Sequence, residues 1–411
     1  MKDIPLSVPS LSIEVIENIK ECIETGWVST GGRFISEFEK KIAEHVGIGD
    51  AVGVQCGTAG LHLALRALGV EREDEVIVPA LTFIAAVNPV KYVGAEPVFM
   101  DCDESFCMDP VKLEEFCSEG CEFEEDKLIN KLTKRRIKAI IIVHVFGNMA
   151  DMENLMEIAQ KYGLKVIEDA TEALGTCYTE GSYKGKFAGT IGDIGVYSFN
   201  ANKIITTGGG GMVVSENKEY FNKIRYLSTT AKDDPLYFIH DDVGYNYRML
   251  NIQAAFGVSQ ADELEKFIAI KKRNYEQYSK LLKDTAGIRL LPFKIGTRPN
   301  YWFYSVYIDS IKYGMSRDEL MRSMIDDGIQ CRPVWRLVNR QKPYVECQSA
   351  EIEKALDYEA NVMNLPCSVT LNSDQIEYVC ISIRDLHKGA THVRKEKEAE
   401  SNQKKQGRKQ S

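Results

Sequence analysis

The chain has 411 residues, 44% of them hydrophobic and 27% charged, which excludes a chain that is disordered as a whole. Its 51 Lys and Arg against 60 Asp and Glu leave a net charge of −9, a poor balance for a general nucleic-acid binder. The last 25 residues, His387 to Ser411, hold eight Lys/Arg and three Glu, so this tail carries +5 and the preceding 386 residues carry −14.

The predicted elements begin with a helix over 12–25, with Ser12 as N-cap and Gly26 as its stop. A second helix over 34–46 stops at Gly47. Then strands and helices alternate. AVGVQ (51–55) reads as a buried strand, CGT (56–58) as a turn and AGLHLALRAL (59–68) as a helix. EVIVP (75–79) and PVFMD (97–101) are strands, with helical sequence over 83–93 between them despite Pro89. Residues 109–133 read as polar and helical. KAIIIVHV (138–145) is a buried strand, 152–163 a helix, and KVIEDA (165–170) a strand with an acidic end. DIGVYSFN (193–200) and GMVVS (211–215) flank a glycine-rich loop. A long helix follows over about 252–285. YWFYSVYI and SRDELMRSMIDDG give strand and helix signals within 286–386.

Alternating strands and helices with near-continuous apolar strands imply an α/β fold with a mostly parallel sheet. The division expected is an N-terminal arm and large domain over 1–251, a linking helix and smaller α+β domain over 252–386, and a basic, disordered tail over 387–411. No run of about 18 apolar residues predicts a membrane span. The N-terminus lacks the apolar segment of a signal peptide, so the expected location is the cytoplasm. The eleven cysteines are scattered without zinc-ligand spacing and read as reduced thiols, with no metal site.

Four features could carry chemistry. The Cys56-Gly57-Thr58-Ala59 turn opens a helix, whose N-terminus suits a phosphate but equally accommodates a plain N-cap at Thr58. GGGG (208–211) lacks the Lys-Ser/Thr of a phosphate-binding loop; it is either a flexible turn or a place of close backbone approach. Asp169 ends an apolar strand, where open α/β sheets bind ligands. Lys203 lies in an apolar-flanked segment beside the glycines, and a desolvated amine can act as a nucleophile.

Together these segments resemble the DegT/DnrJ/EryC1/StrS sugar aminotransferases. The resemblance runs from about Ile4 to Leu386. It rests on WVSTGG (27–32), CGTAGLHLAL (56–65), VPALTFIAAVNPVKYVGAEPVFMD (78–101), HVFGN (144–148), VIEDATEALG (166–175), GDIGVYSFNANKIITTGGGGM (192–212), GYNYRMLNIQAA (244–255) and RPVW (332–335). Within the family the chain is most similar to aminotransferases of the bacillosamine and legionaminic acid pathways, which share SFN-x-NKIITTGGGG. The resemblance implies pyridoxal 5′-phosphate (PLP), with a pyridoxamine form during turnover, in the fold of aspartate aminotransferase (fold type I).

Residue by residue, Lys203 matches the lysine that forms the Schiff base, and Asp169 the partner of the pyridine nitrogen. Thr58, Ala59 and Ser198 match phosphate-cradle positions. Phe83 matches the ring stacked on the cofactor, with core packing as the alternative. Glu172 matches a position near the cofactor's 3-oxygen. Asn246 matches a residue supplied from the neighbouring subunit, which implies a homodimer with shared sites. Trp27, Ser29, Thr30, Tyr301, Trp302, Arg332 and Trp335 are candidates for sugar or nucleotide contacts; core packing for the aromatics, and a surface ion pair for Arg332, remain open. The implied reaction moves an amino group from L-glutamate to C4 of a nucleotide-linked 4-keto-6-deoxy sugar. A UDP-linked 2-acetamido-4-keto-2,6-dideoxyhexose is the first choice and a GDP-linked sugar the alternative. A non-catalytic regulator is a remote third, disfavoured by Lys203 and Asp169. Neither nucleic acid nor membrane insertion is implied.

Overall fold

The structure is a computed structural model that describes residues 3–387. Most of the basic tail, 388–411, lies outside the described residues. Helix α1 (Glu14–Thr25) ends at Gly26, whose left-handed backbone at φ 75° returns its N–H to Ile23. Ser12 is not its N-cap: Ile13 holds that place and already has helical angles, so Ser12 falls one residue outside. Helix α2 (Arg33–Val46) ends likewise at Gly47. Strand β1 (Ala51–Val54) leads into α3 (Gly57–Ala67), whose N-cap is Cys56 rather than Thr58. The Cys56 sulfur accepts the Ala59 N–H at 3.4 Å. Strand β2 (Asp74–Pro79), α4 (Asn88–Tyr92) and β3 (Glu96–Met100) follow, and Pro89 sits in the first turn of α4, where its missing N–H costs no bond.

Residues 109–133 are not one helix. Asp109 caps α5 (Pro110–Glu119), and Gly120 ends it. A hairpin of β4 (Cys121–Glu124) and β5 (Lys127–Asn130) comes next. Its two turn residues, Glu125 and Asp126, have φ of 48° and 59°, the left-handed pair that a tight hairpin needs. The charged run conceals an alternation in which Cys121, Leu128 and Asn130 are buried.

The large sheet is completed by β6 (Arg136–Val143), β7 (Lys165–Asp169), β9 (Ile194–Ser198) and β10 (Gly211–Val214). Helix α6 (Met152–Lys161) links β6 to β7, and the short β8 (Cys177–Tyr178) precedes β9. The strand order is β1-β10-β9-β7-β6-β2-β3, parallel from β9 to β3, with β10 and β1 antiparallel at one edge. The parallel strands are almost wholly buried, as a sheet covered on both faces requires. Their C-terminal ends place Asp169 and Ser198 on one rim, and α3 packs on the sheet with its N-terminus at the same rim.

After α7 (Lys218–Ser228) and the hairpin of β11 (Lys232–Asp234) and β12 (Ile239–His240), the 32-residue α8 (Asn251–Leu282) packs against α1 and α2. Strand β13 (Ile288–Leu290) then starts a second sheet. β14 (Thr297–Arg298) pairs with β8, and β15 (Tyr304–Ile308) pairs with β13. Helices α9 (Ser310–Tyr313) and α10 (Arg317–Asp326), strand β16 (Arg332–Pro333), helix α11 (Lys354–Asn361) and strand β17 (Val362–Leu365) follow. The second sheet is antiparallel, in the order β13-β15-β17-β16. A helix over 373–387 closes the described chain. Two seams join the sheets. Phe99 on β3 exchanges backbone hydrogen bonds with Gln348 and Ala350, and the Asp101 carboxylate accepts the N–H groups of Glu353, Lys354 and Ala355. The N-terminal arm runs beside the second sheet, with Ile4 bonded to Gly328 and Gln330, and the Leu6 carbonyl to Cys367.

Candidate active site

A cavity of about 610 Å³ opens where the rim of the large sheet meets the second sheet. Lys203 enters from the loop after β9. Its Nζ lies 3.6 Å from Glu172 Oε1 and 4.2 Å from the centre of the Trp302 ring. Glu172 is held at both ends. Its Oε2 accepts the Phe146 N–H at 2.8 Å, and its carbonyl accepts the Asn300 amide at 2.9 Å. Phe146 reaches this position through a left-handed backbone, φ 57° and ψ 22°, which costs a non-glycine residue roughly 1–2 kcal/mol. Gly147 follows at φ 85°, and a Cβ there would sit 2.0 Å from Asn300 Oδ1, so that position admits only glycine.

Burial pushes the Glu172 carboxyl up to about 7, against the pull of the Lys203 charge and the Phe146 N–H. Burial also raises the Asp169 carboxyl, opposed by its bonds to Thr171. Asp169 Oδ1 accepts the Thr171 N–H at 3.0 Å. Its backbone is fixed between β6 and β9, with its carbonyl taking the His144 N–H at 3.1 Å. Beneath it, His144 Nδ1 accepts the Ala150 N–H at 3.2 Å, which leaves the proton on Nε2 to face Glu168 at 2.9 Å. Burial opposes the charge on Glu168, but His144 and the N–H groups of Gly189 and Gly192 outweigh it and lower its pKa.

The opposite wall is the first turn of α3. Gly57 and Thr58 line the cavity, where the N–H groups of a helix start have no intrahelical acceptor. Ser198 stands beside them. A Cβ on Gly57 would meet Thr171 Cγ2 at 2.8 Å and Ser198 Cβ at 3.2 Å, so the glycine keeps this corner open. The GGGG run resolves to close approach: a Cβ on Gly211 would lie 2.7 Å from the Cys56 carbonyl carbon, and Gly210 bridges Cys56. The glycine loop thus seats the N-terminus of α3 on the sheet. Phe83 projects into the cavity with 52% of its surface exposed, unlike a core residue.

The structure therefore brings Thr58, Phe83, Asp169, Glu172, Ser198, Lys203, Trp302, Arg332 and Trp335 to one cavity. Ala59 is not on its wall; its N–H is already taken by Cys56. Trp27, Ser29 and Thr30 lie in an exposed loop away from it, tied to Asn251 through the Trp27 and Ser29 carbonyls. Tyr301 packs against Tyr275 and Phe293, so core packing holds there. Trp302, 3% exposed, is both packing and wall: its indole N–H donates to the Asn202 carbonyl at 2.7 Å. Asn246 lies outside the cavity of its own chain, bridged to Thr229.

Sequence reasoning missed Phe146, Asn300 and the His144–Glu168 pair. HVFGN held a signal, a glycine after an aromatic at a strand end, but no side chain there announces that a backbone N–H is the working group. Phe146 also stacks on Trp335, with ring centres 4.5 Å apart.

The cavity fits PLP on its own geometry. It offers a glycine-lined helix N-terminus with two hydroxyls for a phosphate, a buried carboxylate at the strand end for a ring nitrogen, and a primary amine on the same cavity wall. An exposed aromatic ring is available for the plane of the cofactor. The comparisons with known proteins agree. The DegT/DnrJ/EryC1/StrS aminotransferase family matches residues 9–384. A GDP-perosamine synthase of Escherichia coli O157:H7 is 37% identical over 389 residues, covering 94% of this chain and 99% of that protein. A second GDP-perosamine synthase, from Caulobacter vibrioides, is 35% identical over 390 residues, covering 93% and 99%. The crystal structure of DesI with its TDP-sugar product superposes with a TM-score of 0.84 at 26% identity, covering 96% of each chain. A match that spans both sheets and the loop bearing Lys203 leaves one conclusion: the chain belongs to the DegT/DnrJ/EryC1/StrS family of PLP-dependent sugar aminotransferases, with the type I fold.

Proposed function

We propose that the protein transfers the amino group of L-glutamate to C4 of a GDP-linked 4-keto-6-deoxy sugar. The observation that carries this reading is the similarity, over nearly the full length of both chains, to two GDP-perosamine synthases. It moves the GDP-linked sugar ahead of the UDP-linked 2-acetamido sugar suggested by the SFN-x-NKIITTGGGG motif.

When bound, PLP supplies an electron sink for cleaving the bond to hydrogen at an amine-bearing carbon. The chain's own groups do the rest. Lys203 would hold the cofactor between turnovers, and its amine, once free, would accept and return a proton at Nζ. Asp169 keeps the ring nitrogen protonated through a charge-assisted hydrogen bond. Thr58, Ser198 and the start of α3 bind the phosphate far from the reacting carbon, which fixes the ring without restraining the chemistry. Phe83, exposed in the cavity, would cover one face of the ring, and Arg332 and Trp335, on the same cavity wall, would meet the anionic carrier and the sugar. Asn246, away from its own cavity, serves the neighbouring subunit in a homodimer.

The test is a panel of GDP-, UDP- and TDP-linked 4-keto-6-deoxy sugars with glutamate, read by mass for gain of an amine. Preferential amination of the GDP sugar is expected. Turnover of the UDP-linked acetamido sugar alone would overturn the assignment of carrier, and turnover of none would overturn the reaction.

A further inference from the structure

Glu172 and Lys203 form a pair that a lysine needed only to hold a cofactor would not require. Lys203 Nζ and Glu172 Oε1 stand 3.6 Å apart, and their side chains are 13% and 4% exposed. The other carboxylate oxygen is occupied by the Phe146 N–H, and Asn300 holds the Glu172 carbonyl. One fixed hydrogen bond therefore holds the carboxylate with its free oxygen toward the amine, while Asn300 anchors the backbone beneath it. The strained turn at Phe146 supplies that bond.

We propose that Glu172 is the proton partner of Lys203, exchanging one proton directly between Oε1 and Nζ, with Phe146 as the residue that positions it. The step balances simply. The ammonium of Lys203 loses a proton, the carboxylate of Glu172 gains it, and no other bond changes. It deepens the proposed reaction and rests on it, because an amine that must pick up a proton from carbon has first to be unprotonated. The charged groups facing Glu172 are Lys203 from the loop after β9 and Asp169 from the end of β7; the first favours its charged form and the second disfavours it. Asn300, packed from the opposite side, is neutral, and His144 is committed to Glu168. Burial places the Glu172 carboxyl near neutrality, where it can both take and return a proton.

The test uses the full-length protein freed of PLP. Lys203 is labelled by reductive methylation across pH 6–10 and followed by peptide mass spectrometry, with exposed Lys280 as reference. Removing the carboxylate in Glu172→Gln takes away the negative charge that faces the amine at 3.6 Å. Labelling of Lys203 in the variant then rises at a lower pH than in the wild type, with Lys280 unchanged. If Glu172→Gln does not fold, Glu172→Ala carries the same expectation. Curves that coincide would overturn the pairing. So would a variant curve that is higher at every pH without being displaced, since that reports only a looser site. The assay contains neither amino donor nor sugar nucleotide, so its result is independent of the substrate panel.

Discussion

Replacing Asp169 with Asn separates the cost of a buried charge from its use. The carboxylate is 3% exposed, and within the chain Thr171 bonds to it, with its backbone N–H at 3.0 Å and with its side chain. The Asn carbonyl can keep the N–H bond, and the backbone remains held by the His144 N–H on its carbonyl and by the Ala170 N–H on the Val196 carbonyl. Fold and cavity should therefore survive. Burial holds the Asp169 carboxyl above its ordinary value, so the folded chain retains its proton more strongly than the unfolded chain. The stability from this group is present at low pH and is lost as pH rises from the ordinary carboxylate range through the raised value. Without PLP, Asp169→Asn should melt with the wild type at pH 4 and at or above it at pH 8.

With PLP the sign reverses. A hydrogen bond to a charged group contributes about 1.5–3 kcal/mol. At 1.36 kcal/mol per tenfold, losing it slows the conversion by glutamate at least about 10-fold, and about 150-fold at the upper end. Stopped-flow absorbance of that half-reaction, beside melting curves of the PLP-free protein, reads both effects. A half-reaction within about threefold of wild type would refute the pairing of Asp169 with the ring nitrogen.

Lys203→Ala should abolish the long-wavelength absorbance of the PLP-loaded protein; an unchanged spectrum would place the covalent link elsewhere. Gly57→Ala puts a methyl group 2.8 Å from Thr171 and 3.2 Å from Ser198, and overpacking of about 1–3 kcal/mol should weaken PLP binding about 5- to 150-fold in equilibrium dialysis, with little change in far-UV circular dichroism. Phe83→Ala removes a half-exposed ring, so stability should stay within about 0.5 kcal/mol of wild type while PLP dissociates up to about tenfold faster in a fluorescence chase. Deleting 388–411, beyond the family match that ends at 384, should leave transamination intact.

The parallel sheet was legible because its strands are short apolar runs bounded by glycines and charges. Asp169 was legible for the same reason: a carboxylate directly after such a run marks the sheet's binding rim. Lys203 was legible through the glycines beside it, whose need for close approach the structure bears out at Gly211. The hairpin over 121–130 was hidden because its turn uses Glu125 and Asp126 in left-handed angles instead of glycine, and its exposed positions are charged. Phe146 and Asn300 were hidden for different reasons. Phe146 contributes a backbone N–H, to which its side chain gives no clue. Asn300 meets Glu172 from 128 residues away, a contact that no local pattern encodes.

The charge arithmetic has a local answer as well. A body of −14 repels a nucleotide diphosphate at long range, yet repulsion between exposed charges fades within about 8 Å at physiological ionic strength. What the anion meets inside that distance is the cavity wall. There the start of α3, Lys203, Arg332 and Arg336 oppose only Asp169 and Glu172 among the charged side chains. Glu172 titrates near neutrality, and Asp169 is buried at the strand end. The wall thus sets three cationic side chains and a helix start against two buried carboxylates, one of which titrates near neutrality.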